Sequence, residues 1–493
     1  MGRVEMKTWV SWMSVAGLAA GVLFLSHGAQ ASDPTQATYS WDDSRIFWIM
    51  HISDSHVGAT YDTYDDEAAL RWGLGEAIDV VDPVMVWHTG DIVDGSPHGI
   101  VTSGQEDGEW ILYRSVVDEN SLTPDFYVDL PGNHDAYGDE GLTHYLQYSL
   151  NGSTYGKLTR SVLLSFPWGN YFLYGMATVD ETGSRFLEHP EITQEELDEL
   201  DSELTANDSA RLIFVLGHHT LEDPARMDEA VAKMQQHHTF YFHGHVHAYG
   251  SYMDQGLVVS QVNSLGKANT DNLAVIAVDN DAVSYAATSS SDPWPFVVVT
   301  APVSSRLDSG EPNPYAYTVC NREQSVPVRV LVFDLNQVSA VTVTAGASQE
   351  AALTRSNTTP QLWTGSFDPS NLPEGEAVMT VNAYGSHPRT REIHFLVGDT
   401  TCPGEVGQDA GLGDGGEADA VGGSDAGLEG DAAQRDAAMA SDGAQAGWDA
   451  SVVGGGPDSG CGCSLGAPTR PPVSLFVVLF GVALLLRRRR RGA

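Results

Sequence analysis

Five short clusters of histidine, aspartate and asparagine carry the chemistry this chain offers. They are Asp54-x-His56, Gly90-Asp91-x-x-Asp94, Gly132-Asn133-His134-Asp135, Gly217-His218 and Gly244-His245-x-His247. Imidazole nitrogens and carboxylate or amide oxygens suit several first-row divalent cations. None of Cys320, Cys402, Cys461 and Cys463 falls near a cluster, so a metal site built here has only nitrogen and oxygen ligands. Asp54 and His56 are two residues apart, which in extended backbone puts both side chains on one side, able to chelate one ion. His245 and His247 repeat that spacing.

Each cluster follows an apolar run of strand character, at residues 46–50, 84–88, 125–130, 212–216 and 239–243. Open α/β sheets bind ligands beyond the carboxyl ends of their strands, which is where all five clusters then fall. Residues 66–80 and 109–117 have helical spacing between the first three strands, so right-handed crossovers predict a mostly parallel core. Strands are also expected at 161–166 and 171–176, flanking Pro167-Trp168-Gly169, and near 257–262, 273–278 and 282–287. Thr193-Gln194-Glu195-Glu196 is a capping box that opens a helix to about residue 204.

In this fixed order the clusters resemble the motif series of the calcineurin-like metallophosphoesterases, over residues 46–290. The resemblance implies a four-layer α/β/β/α sandwich and a site holding two divalent ions, Mn, Fe or Zn. Carried over position by position, Asp54, His56 and His247 hold the first ion, Asn133, His218 and His245 the second, and Asp91 bridges them. A bridging water would become hydroxide near neutral pH and attack phosphorus in line. His134 is the expected group for stabilising charge or protonating the leaving oxygen, with Asp135 orienting it. His218 is preferred over His219 because the pattern places the ligand directly after the glycine. His51, His88, His237 and His238 are assigned structural or surface roles, and His243, inside its strand, is read as packed or as supporting a ligand.

Asp94 stands where the purple acid phosphatases carry tyrosine, and Asp94-Gly95 with Asp135 departs from the serine/threonine protein phosphatases. Four stretches resemble instead the transmembrane protein 62 branch: 90–95, Gly132-Asn133-His134-Asp135-Ala136-Tyr137, 166–171 and Gly217-His218-His219-Thr220. That branch carries a β domain after its phosphoesterase domain. Here about seven short strands from residue 294 to 400 read as an immunoglobulin-like β-sandwich without a catalytic cluster. Cys320 and Cys402 could pair in an oxidising compartment.

The two ends read as addresses. Residues 1–31 have the basic, apolar and small-x-small order of a secretory signal. Residues 461–493 run from Cys461 and Cys463 through the apolar stretch 473–486 to five arginines at 487–491, resembling the myxobacterial type of C-terminal sorting tail. The apolar stretch is short against the roughly 20 residues of an unassisted span. Between lies an acidic Gly/Ala/Asp linker, 401–460, too poor in large apolar residues to form a core. The divisions are therefore 1–31, 32–293, 294–400, 401–460 and 461–493. A net charge of −41, from 66 acids against 25 bases, excludes a nucleic-acid partner. The expectation is an exported phosphate mono- or diesterase, anchored at the cell surface or membrane through its tail, with a sorting protease acting on that tail. The other reading is a non-catalytic, metal-stabilised surface binding module. Motif order does not choose a substrate, because loops around the site set it.

Overall fold

A computed structural model describes residues 45–59, 64–95, 104–183, 190–346 and 348–399. The expected signal segment, linker and sorting tail lie outside the described residues, as do Cys402, Cys461 and Cys463. Among the described residues no helix is long and apolar enough to cross a membrane.

The chain runs β1 (Ile46–Ile52), α1 (Asp66–Leu74), α2 (Glu76–Val81), β2 (Met85–His88), α3 (Asp107–Glu119), β3 (Tyr127–Asp129), then the short α4 (Asn133–Ala136), α5 (Thr143–Tyr148) and α6 (Leu150–Tyr155). It continues through β4 (Arg160–Phe166), β5 (Gly169–Gly175), α7 (Gln194–Ala206), β6 (Leu212–Leu216), α8 (Met227–Gln236), β7 (Phe240–His243), β8 (Gly250–Asp254), β9 (Leu257–Gln261), β10 (Leu273–Asp279) and β11 (Ala282–Thr288). Two sheets result, ordered β11-β10-β1-β2-β3 and β4-β5-β6-β7-β9-β8. Within them β1, β2 and β3 are parallel, as are β5, β6, β7 and β9.

Strand alternation divides the side chains between layers. Met85 and Trp87 of β2 join Phe47, Ile49, Leu173, Phe214, Leu216 and Phe242 in a core between the two sheets. Val86 points the other way, into a core shared with Leu70, Leu74, Trp110 and Tyr113 of the first three helices. On the far side of the second sheet, Ile213 and Val215 pack on Leu197, Leu200, Val231 and Met234 of α7 and α8. Helices thus cover both outer faces, and the strand ends meet at one edge.

The expected helix over 66–80 is two helices. Gly75 sits between them with φ −113° and ψ −96°, outside helical geometry, and begins the second helix anew. The capping box is present: Thr193 Oγ1 accepts from Glu196 N, and the Glu196 carboxylate accepts from Thr193 N at 2.8 Å.

The remaining strands are β12 (Phe296–Ala301), β13 (Thr318–Cys320), β14 (Val326–Phe333), β15 (Ala340–Ala345), β16 (Ala351–Ala352), β17 (Thr354–Arg355), β18 (Leu362–Phe367), β19 (Gly375–Tyr384) and β20 (Pro388–Gly398). They form two sheets, β12-β14-β18-β17 and β13-β20-β19-β15-β16, over one apolar core. The outer side of the first of these sheets is apolar as well. Phe296, Val298, Leu331, Phe333 and Leu362 belong to the same core as β1 and helices α1 to α3. Cys320 is buried and disulfide-bonded.

Candidate metal centre

The loops carrying Asp54 and Asp91 stay paired after their strands end. Asp54 N donates to Gly90 O at 2.8 Å and His56 N to Asp91 O at 3.0 Å, carrying the β1–β2 pairing into the turns. Five cluster residues adopt left-handed backbone: φ is 56° at Asp54, 45° at His56, 52° at Asp91, 67° at His245 and 49° at His247. Such conformations are uncommon for residues with side chains, and cost on the order of 1 kcal/mol or more each. The Asp54/His56 pair therefore does converge, but not through the extended backbone the spacing suggested, while His245 and His247 turn toward different partners. Two glycines allow the loops to close. A Cβ on Gly132 would lie 2.2 Å from Asp91 N, and one on Gly90 would lie 2.8 Å from His218 Nδ1.

All seven expected ligands meet at this edge, as two sets of donor atoms. In one, Asp54 Oδ1 lies 3.2 Å from His247 Nε2 and 3.7 Å from His56 Nε2, and the two imidazole nitrogens face each other at 3.0 Å. In the other, Asn133 Oδ1 is 2.9 Å from His218 Nε2 and 3.2 Å from His245 Nδ1. Asp91 contributes to both: Oδ1 is 3.3 Å from His218 Nε2, while Oδ2 is 3.6 Å from His56 Nε2.

This set fits divalent cations. Asp54 Oδ1 is buried without a hydrogen bond, and imidazole nitrogens crowd one another where a cation would satisfy them together. One far ring nitrogen is hydrogen-bonded as in metal-binding histidines, and two others face carboxylates. His218 Nδ1 pairs with Thr89 O at 2.9 Å, His56 Nδ1 faces Asp94 Oδ1 at 3.4 Å, and His245 Nε2 lies 3.9 Å from the Asp223 carboxylate. Lys267 Nζ in turn holds Asp94 Oδ1 at 2.7 Å. Thr89, Asp223 and Lys267 carried no signal in the sequence, because only the fold brings them here.

Charge balance at the centre is unusual. Burial alone would raise Asp54 and Asp91, yet the histidines around them hold both carboxyls well below the ordinary range. Burial likewise opposes protonation of His218, but the Asp91 carboxylate overrides it and lifts the imidazole to about 9. Ionised carboxylates gathered out of water call for cations.

His134 stands at the open side, its ring edge-on to His56 at 4.5 Å between centroids and its Nε2 3.9 Å from Asp91 Oδ2. Its Nδ1 pairs with the carbonyl oxygen of Asp94. Burial lowers this imidazole to about 4 despite Asp91. Asp135 does not orient it, contrary to expectation. The Asp135 carboxylate accepts from the backbone N–H groups of Gly132 at 2.8 Å, Val93 at 3.0 Å and Ile92 at 3.1 Å. A buried carboxylate beside three unpaired N–H donors satisfies them, and so ties the Asp91 turn to the Asn133 turn.

His219, the neighbour passed over, packs its ring 4.6 Å from His245 and pairs Nδ1 with Thr178 Oγ1 at 3.0 Å. It also stands within reach of His218 and His245 as a third donor, just as Asp94 stands near His56 and His134. His51, His88 and His243 are fully buried beneath the centre, bonded to Thr89, Ser55 and Tyr252.

Residues 47–249 match the calcineurin-like phosphoesterase family. This segment is a calcineurin-like phosphoesterase domain. A stretch longer than the phosphoesterase domain aligns with mouse transmembrane protein 62, 24% identical over 410 residues, 78% of this chain and 62% of that protein. An Arabidopsis thaliana protein named as a metallophosphoesterase is 27% identical over 195 residues, 36% of this chain and 25% of its own length. The chain thus spans about three-fifths of the mouse relative and a quarter of the plant one. Among solved structures, a phosphopantetheinyl hydrolase from Mycobacterium tuberculosis is similar at 12% identity and TM-score 0.29, covering 44% of this chain and 89% of that one.

Proposed function

We propose that the protein is a metal-dependent phosphoric ester hydrolase with a dinuclear centre. The observation that carries this reading is the division of Asp91 between two donor sets, Oδ1 toward His218 and Oδ2 toward His56. Asp54, His56 and His247 would hold one cation and Asn133, His218 and His245 the other, with Asp91 between them. Cations there supply Lewis acidity to a phosphoryl oxygen and lower the pKa of water. Their identity is left open by a nitrogen and oxygen donor set.

The chain's own contribution is positioning and proton movement. His134 Nδ1–H donates to the Asp94 carbonyl, so Nε2 faces the open side and is the atom that takes up and releases a proton. From there it donates to a phosphoryl oxygen or to the departing alkoxide. The lowered imidazole makes it a strong proton donor when charged. The Asp135 clamp fixes the two turns on which Asp91 and His134 stand.

We further propose export and attachment at the cell surface, on the strength of the secretory-type N-terminus and the basic tail. The two-sheet unit after residue 294 is read as immunoglobulin-like from its strand number and length. Purified full-length protein should bind two equivalents of Mn²⁺, Zn²⁺ or Fe²⁺ and hydrolyse bis(p-nitrophenyl) phosphate or p-nitrophenyl phosphate. Relative rates on the two substrates decide diesterase against monoesterase. Asp91→Asn should abolish hydrolysis while the protein stays folded by circular dichroism. Two bound ions with neither ester cleaved would leave the binding-module reading standing instead.

A further inference from the structure

We propose that His88 is a positioning residue for the second cation, acting through the peptide between Thr89 and Gly90. The inference rests on the dinuclear reading above. In a trans peptide the C=O and N–H point opposite ways, and here a histidine holds each end. Thr89 O accepts from His218 Nδ1–H at 2.9 Å, which leaves His218 Nε2 facing Asn133 Oδ1 at 2.9 Å and Asp91 Oδ1 at 3.3 Å. Gly90 N donates to His88 Nδ1 at 3.3 Å. The carbonyl bond holds in both states of the centre, because His218 keeps its Nδ1 proton whether Nε2 carries a proton or a cation.

The partners of His88 fix its tautomer. Ser55 Oγ–H donates to Ile92 O at 2.7 Å, so toward His88 Nε2, 3.0 Å away, it can only accept. His88 therefore carries its proton on Nε2 and presents a lone pair at Nδ1, which is what the Gly90 N–H requires. Burial keeps the ring in this neutral form, lowering its pKa to about 3. His88 is 0% exposed and Gly90 is buried too, so water is not at hand to replace the imidazole as acceptor.

The rest of the turn is anchored without His88. Thr89 N donates to Ile52 O at 3.0 Å, Asp54 N donates to Gly90 O at 2.8 Å, and His51 Nε2 pairs with Thr89 Oγ1 at 2.9 Å. These bonds leave one motion open, rotation of the Thr89–Gly90 peptide between its two anchored ends. Gly90 has φ 105°, where a glycine meets little steric resistance to that rotation. A buried N–H deprived of its acceptor is unfavourable, so without His88 the peptide turns and takes Thr89 O off His218. The ligand then loses its orientation.

Two substitutions separate the two bonds of His88. In His88→Asn the amide oxygen takes the place of Nδ1 and still accepts from Gly90; in His88→Gln the amide reaches the Ser55 side and the Nδ1 position has no acceptor. Full-length wild type and both variants are stripped by chelator and titrated with Mn²⁺ and with Zn²⁺ in equilibrium dialysis with metal analysis. His88→Gln should bind one ion as the wild type does and the other about 10-fold more weakly, the lower end for partners that orient metal ligands. The weakened ion should be the one that His218→Ala loses. His88→Asn should stay close to wild type for both ions, even where its melting temperature falls as far as that of His88→Gln. His88→Phe, which keeps an aromatic ring and drops both bonds, replaces His88→Gln if that variant does not fold, with the same selective loss expected. Equal weakening by His88→Asn and His88→Gln, equal weakening of both ions, or unchanged binding in His88→Gln would overturn the proposal. A wild type that binds fewer than two ions would overturn the dinuclear reading beneath it.

Discussion

His134 and Asp135 are neighbours in one motif, but their side chains act on different partners. The Asp135 carboxylate takes three backbone N–H groups, and burial followed by the Asp91 charge pushes its pKa upward. The His134 ring touches no such network and keeps part of its surface toward the opening. His134→Ala should therefore lower kcat by about 10²- to 10⁴-fold, the usual worth of a positioned acid or base, with little change in melting temperature. Asp135→Ala should cost about 1–3 kcal/mol of stability for the donors it strands, and its activity loss should track loosened cation binding. Denaturant titration beside steady-state kinetics separates the two, and the prediction fails if both variants show the same pattern. The donors gathered at the centre were legible in the sequence because each type stood at a strand end in a fixed order. The groups that orient them were not, since Thr89, Asp223 and Lys267 reach the centre across long stretches of chain.

The first turn of α3 sets two effects against each other in Glu109. A carboxylate near a helix N-terminus is favoured in its charged form, but Glu109 is 6% exposed, with Oε2 accepting from Gly95 N at 3.2 Å and Oε1 buried without a partner. Burial wins, helped by the charges of Asp94, Glu106 and Asp135, and the pKa rises from 4.5 to about 8. An acid whose folded pKa is raised stabilises the fold when protonated, so its contribution is complete below about pH 4.5 and is lost as pH climbs toward 8. Cation-free wild type should accordingly lose stability over that window relative to Glu109→Gln, by at most about 1.4 kcal/mol per pH unit. Melting curves of both proteins from about pH 4.5 to about 8.5 would show parallel lines if Glu109 is ionised throughout. At this scale most strands were legible from apolar runs, and α7 from its capping box. Helix α8 went unread although Met227, Ala230, Val231 and Met234 lie at helical spacing. It starts from Arg226 in left-handed backbone with no side-chain cap, so the usual start signal was missing. Strand β8 opens on glycine and is only partly buried, so no apolar run marked it.

The two-sheet unit after residue 294 is part of the phosphoesterase domain's own packing. Its outer apolar face, with Phe296, Leu331 and Phe333, closes the core that α1 to α3 and β1 leave open, and Trp48 meets Phe333 edge-on at 5.5 Å. One buried ion pair crosses the same seam. Arg329 Nε on β14 donates to Asp279 Oδ2 at the end of β10 at 2.8 Å, and Thr300 Oγ1 adds a second bond to that oxygen at 2.6 Å. Both charged side chains are essentially excluded from water, at 2% and 0% exposure. Removing one partner of such a pair leaves an uncompensated buried charge, at a cost of about 3–5 kcal/mol, whereas replacing both with apolar groups is often close to neutral. Arg329→Met should therefore destabilise the protein by about that amount, and Asp279→Leu combined with Arg329→Met should recover much of the loss. Because the seam is continuous with the core beneath β1, calorimetry should record one cooperative transition in every variant. Two separate transitions would mean that the β unit is a passive spacer, and that its apolar face contributes nothing to holding the strands that present Asp54 and Asp91.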